Sequence, residues 1–70
     1  MPRFCVNKNS QAGGEHEVHN LDRHCNRLPL PHNQVLLGIH TDCHGALLAA
    51  NSYYSNVDGC HYCANECHTK

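Results

Sequence analysis

The sequence predicts a small α+β domain: short antiparallel strands, one helix and a C-terminal Cys/His knuckle. Three observations lead there. The chain has 70 residues, enough for one domain over 1–70 with a thin core. Strand-like segments precede a single run of helical period. The last eleven residues pack three cysteines and two histidines into Cys60-His61-Tyr62-Cys63-Ala64-Asn65-Glu66-Cys67-His68.

The elements follow in order. Arg3 to Asn7 reads as a strand with Phe4 and Val6 on one face, and turn-forming residues from Asn9 to Gly14 lead into a second strand from Glu15 to Asn20. Leu21 to Leu28 is polar and irregular. Leu28-Pro29-Leu30-Pro31 is extended and should reach the next element without helix. Gln34 to Ile39 is the best strand, with Val35, Leu37 and Ile39 on one side and Leu36 on the other. Thr41 is placed to cap a helix, with Asp42 well set against its dipole. From there to about Tyr54, Cys43, Leu47, Ala50 and Tyr54 form a stripe. Asn56-Val57-Asp58-Gly59 ends the helix and turns the chain into the tail.

Apolar burial alone is too little for such a chain. Ordering it costs roughly 1.5 kcal/mol per residue, and the sequence offers no Trp, one Phe and three Tyr. Structural zinc, worth about 10–16 kcal/mol per ion, or disulfides, worth about 2–4 kcal/mol each, must help. Six cysteines suit three disulfides, but eight histidines have no place in a disulfide scaffold. They point to one or two Zn2+ ions.

Cys60, Cys63 and Cys67 are the strongest ligand candidates, since Cys-x-x-Cys brings two sulfurs of one turn to one ion. A redox pair of that spacing needs a larger βαβ frame. His68 adjoins Cys67. Cys43 lies near a helix start, which favours thiolate, and a tail running back extended brings the Cys63–Cys67 region toward it. A small buried hydrophobe is the alternative for Cys43. His16 and His19 stand three apart around Glu17 and Val18, and on a flat strand they point to opposite faces. Cys25 follows six residues after His19. His24 and His32 read as solvated, His40 and His44 as substitutes, and Cys5 as core. The ligand set is therefore His16, His19, Cys25, Cys43, Cys60, Cys63, Cys67 and His68. Eight ligands make two closed tetrahedra.

Val35-Leu36-Leu37-Gly38 through Asp42-Cys43-His44-Gly45-Ala46, with Asp58-Gly59-Cys60-His61-Tyr62-Cys63 and Cys67-His68-Thr69, resembles a group of short, uncharacterised bacterial proteins rich in Cys and His. The resemblance spans most of the chain and implies no activity.

Composition narrows the functional classes. Net charge is −1 and only five Lys and Arg are present, scattered at Arg3, Lys8, Arg23, Arg27 and Lys70. A nucleic-acid binder carries a basic stripe, so stacking by Tyr53, Tyr54 or Tyr62 is a minor alternative. No stretch is long enough to span a membrane. Met1-Pro2-Arg3 opens without a signal-peptide run, which predicts a cytoplasmic protein. A hydrolytic zinc, with Glu15, Glu17 or Glu66 as base, needs an open position and a pocket that so small a chain seldom encloses. The expectation is therefore a non-enzymatic zinc-binding protein with structural metal, acting as an interaction module for a protein partner. A zinc chaperone or buffer is the alternative, and a disulfide-rich secreted peptide a third.

Overall fold

The computed structural model describes all 70 residues. Strands β1 (Arg3–Asn7), β2 (His16–Asn20), β3 (Gln34–Ile39) and β4 (Val57–Gly59) form one sheet in the order β3-β1-β2-β4, and helix α1 (Cys43–Ala50) packs against it. This is the expected small α+β architecture with one helix. Side chains alternate across the strands, so Phe4, Val6 and Val18 face the helix and pack in one cluster with Ala46 and Ala50. Fifteen residues are buried and five of them are cysteines, so sulfur forms much of the interior.

The β1–β2 hairpin closes as its sequence requires. Gly14 takes a φ of 91°, where a side chain would be strained, and its N–H donates to the Gln11 carbonyl at 2.8 Å. Phe4 then opposes Asn20, Cys5 opposes His19, and Val6 opposes Val18.

Four local expectations need correction. The register of β3 against β1 slips between Phe4 and Cys5, and Gly38 at φ 84° takes the extra turn of this bulge. Val35 and Leu37 still pack on the core, but Ile39 is turned out to solvent with Leu36. The proline stretch does not stay extended throughout: Pro31–Asn33 forms a short 3-10 turn with proline at its first position, where a missing N–H costs nothing. The helix cap is Asp42, whose carboxylate accepts from the His44 N–H at 2.9 Å and from the Gly45 N–H at 3.4 Å. Cys43 is thus the first helical residue. The helix also stops at Ala50 rather than Tyr54, because Ser52 and Tyr53 bond back three residues to Ala49 and Ala50.

The sheet is not wholly antiparallel. β4 pairs with β2 in parallel, with Val18 opposite Gly59. Parallel neighbours need a long crossover, and the intervening chain, with β3 and α1, provides it. Gly59 is fixed by close approach: a Cβ there would lie 2.6 Å from the Ala64 carbonyl oxygen and 2.7 Å from the Cys67 backbone. No helix is long and apolar enough to cross a membrane.

Candidate metal centre

The parallel pairing builds the site. Val18 and Gly59 sit side by side, so His19, the next residue of β2, and Cys60, the first residue after β4, lie together at one end of the pair. The Cys60 N–H donates to the Val18 carbonyl at 2.9 Å, and the turn that follows closes with Ala64 N–H on the Cys60 carbonyl at 3.0 Å. That turn swings Cys63 back toward His19. Cys25 arrives from the irregular segment after β2, six residues past His19.

The ligand atoms of His19, Cys25, Cys60 and Cys63 all lie within 4.8 Å of one another. His19 Nδ1 is 3.4 Å from Cys63 Sγ and 3.9 Å from Cys25 Sγ, and the Cys25 and Cys60 sulfurs are 3.7 Å apart. Bonds of about 2.3 Å to sulfur and about 2.0 Å to nitrogen give a zinc tetrahedron S–S edges of about 3.8 Å and S–N edges of about 3.5 Å. These three separations lie within about 0.4 Å of such edges.

The surroundings suit thiolate ligands. The Asn20 N–H donates to Cys63 Sγ and the Arg27 N–H to Cys25 Sγ, each at 3.4 Å. Burial pushes the Cys60 thiol up, while the Cys63 and Tyr62 amides pull the other way. Burial pushes the Cys63 thiol up as well. A cation replaces the protons that these buried sulfurs otherwise hold. His19 is fully buried, and burial lowers its pKa to about 4. Its ring is therefore neutral at pH 7, with a lone pair free for a metal.

Behind the ring, His19 Nε2 is buried and makes no hydrogen bond, with Glu17 Oε1 3.7 Å away. Burial raises the Glu17 carboxyl above its usual range. A carboxylate facing the far nitrogen of a ligating histidine is a common way to fix its orientation.

Three ligands are sealed in: His19, Cys60 and Cys63 are at most 1% exposed. Cys25 is half-buried. A surface cleft lined by His24, Cys25, Asn26, Arg27 and Tyr62 opens on it, and the Arg27 guanidinium lies 5.2 Å from the Tyr62 ring centroid. No protein-family model, curated protein or solved structure matches the chain.

The other expected ligands lie elsewhere. His16 points to the helix side of the sheet, stacks on Tyr54 with centroids 3.7 Å apart, and has Nδ1 2.9 Å from the Asn7 carbonyl. Three residues along a regular strand separate it from His19 by a face. His68 Nδ1 donates to the Gly59 carbonyl at 2.9 Å and lies 3.1 Å from the buried Asp58 carboxylate. Cys43 and Cys67 are joined in a disulfide with Cα atoms 6.2 Å apart, so neither ligates metal in this state. The tail does return to the helix start, but the two sulfurs face each other directly and bond. Cys5 is fully buried and free, and burial raises its thiol pKa to about 11. His24 and His32 are exposed.

Sequence reasoning missed the supporting groups. Glu17 was legible only as part of His16-Glu17-Val18-His19, and the Asn20 and Arg27 amides carried no side-chain signal. His44 stood as a substitute ligand, and its ring proves to lie beside the disulfide, within 4.8 Å of both sulfurs.

Proposed function

We propose that this chain is a small zinc-binding protein in which His19, Cys25, Cys60 and Cys63 hold one Zn2+ as a structural ion. The observation that carries this is the tetrahedral spacing of one imidazole nitrogen and three sulfurs. Thiolate and imidazole together favour zinc, and four protein ligands leave no position for a reactive water. That closed set supports a non-enzymatic role. The ion would tie β2, the 21–30 segment and the tail together, work that fifteen buried residues do poorly alone.

With the metal inside, function falls to the surface. Leu36, Ile39, Leu48 and Tyr53 are all more than half exposed, which suits a protein-interaction module. Three sulfurs kept free for metal suit a reducing compartment such as the cytoplasm, whereas the Cys43–Cys67 disulfide suits an oxidising one.

A second reading, metal handling as a chaperone or buffer, is favoured by one feature: Cys25 is half-buried at a cleft that also presents His24. An incoming ligand could displace it there. Native mass spectrometry of the purified chain tests both. One zinc per chain, retained against a strong competing chelator, supports the structural ion. Rapid loss with the fold intact favours handling. A chain that folds with no ion at all, or with Cys25, Cys60 and Cys63 oxidised in pairs, ends the proposal.

A further inference from the structure

The Cys43–Cys67 disulfide lies in a second group of ligand atoms. His44 follows Cys43 on the first turn of α1, and its ring nitrogen and the two sulfurs lie within 4.8 Å of one another. The His44 side chain is 68% exposed and its Nδ1 is 3.6 Å from Asp42 Oδ1. A cleft of about 220 Å³, lined in part by Asp42, Cys43, His44 and Glu66, opens onto this corner. Both cysteines are otherwise buried, so the cleft is the approach to the bond.

We propose that reduction of Cys43–Cys67 creates a second metal site, in which Cys43, Cys67 and His44 bind a divalent cation of the zinc class. The electrons balance by thiol–disulfide exchange. A dithiol gives two electrons, its own sulfurs join, and the Cys43–Cys67 bond breaks to two thiols. The cation then displaces both protons, and the sulfurs part by side-chain rotation toward the about 3.8 Å edge of a tetrahedral site. Three protein ligands leave the fourth position to water, so this ion is held less tightly than one with four. Oxidation by a disulfide of the same class reverses the step and releases the ion into the cleft. The site shares no residue with the His19 group, so the two stand or fall separately.

Cobalt(II) titration followed by sulfur-to-metal absorption bands, with native mass spectrometry, reads the result. The full chain is compared as isolated with the disulfide intact and after treatment with a phosphine reductant. The proposal expects one more equivalent of metal after reduction than before. His44→Ala should weaken this added equivalent at least tenfold, and Cys43→Ala/Cys67→Ala should abolish it while sparing any metal bound before reduction. An equal count before and after reduction overturns the proposal, as does an added equivalent untouched by His44→Ala. Because His44 is exposed, its variant still gives an answer if the double variant fails to fold. Absence of metal before reduction would instead sink the structural ion, leaving the difference between the two states intact.

Discussion

Two sulfur-rich regions sit close together in this small molecule, and they are built differently. In the first, His19, Cys25, Cys60 and Cys63 stand at tetrahedral spacing, two sulfurs receive backbone N–H bonds, and a carboxylate backs the histidine. In the second, Cys43 and Cys67 close directly on each other and receive no such bonds. The difference teaches what decides the state of a cysteine. Sulfurs held apart by a sheet end and a tight turn, with amides aimed at them, are arranged for a cation. Sulfurs on a helix start and a returning tail meet head-on and cross-link.

The largest test of this contrast is Cys63→Ser. It removes a buried ligand from a site whose ion is worth about 10–16 kcal/mol, against a typical net stability of about 5–15 kcal/mol. The variant should lose its dispersed NMR spectrum, and a native-like spectrum would refute the metal's structural role.

Acid should separate the regions next. Burial raises the Cys60 and Cys63 thiols, so binding must expel protons, and a fall in pH works against the ion. With the Cys60 and Cys63 thiols protonated before binding, apparent affinity should drop by about a hundredfold per pH unit below the thiol range, or about 5 kcal/mol over two units. The disulfide takes up no proton and should persist throughout. A pH-independent metal affinity would contradict the assignment of thiolate ligands.

Cys43→Ala/Cys67→Ala should be milder. The bridge spans a sequence separation of 24, for which loop-closure entropy gives about 3 kcal/mol. Denaturant melts should show that loss with one ion still bound. Complete unfolding would mean that the cross-link, not the cation, holds the molecule.

The smallest effect is expected at Asp58, which anchors the tail between the two regions. Its buried carboxylate accepts from the Thr69 N–H and hydroxyl at 2.9 Å and from the Lys70 N–H at 3.2 Å. Burial works to raise its pKa, but these bonds and the nearby His68 outweigh it and hold the group below the usual range. Its contribution is therefore complete above the ordinary carboxylate range and is lost as pH falls through the lowered folded value. Asp58→Asn should cost about 1–2 kcal/mol at neutral pH, read as a lower melting temperature with metal content unchanged.

Much of this was legible in the sequence where a local pattern carried it. Alternation found β1 and β2, the helical period found α1, and Cys-x-x-Cys marked Cys60 and Cys63. Strand geometry also explains why His16 and His19 cannot share an ion. What stayed hidden depended on contacts distant in sequence. Nothing local announces that β4 runs parallel to β2, yet that pairing brings His19 beside Cys60. Nor does spacing reveal that Cys67 meets Cys43 rather than joining Cys63, although the two lie in one tail. The β3 bulge at Gly38, which turns Ile39 outward, follows from a register that only the folded sheet sets.

The parallel β2–β4 pair also dictates when this protein can mature. His19 and Cys63 stand 44 positions apart, so the whole stretch between them must leave the ribosome before the two can meet. A nascent chain that has made only His19 and Cys25 can grip a cation no better than a loose peptide does. The proposed ion must therefore wait for Cys63, and until then the earlier thiols of the site stand unshielded.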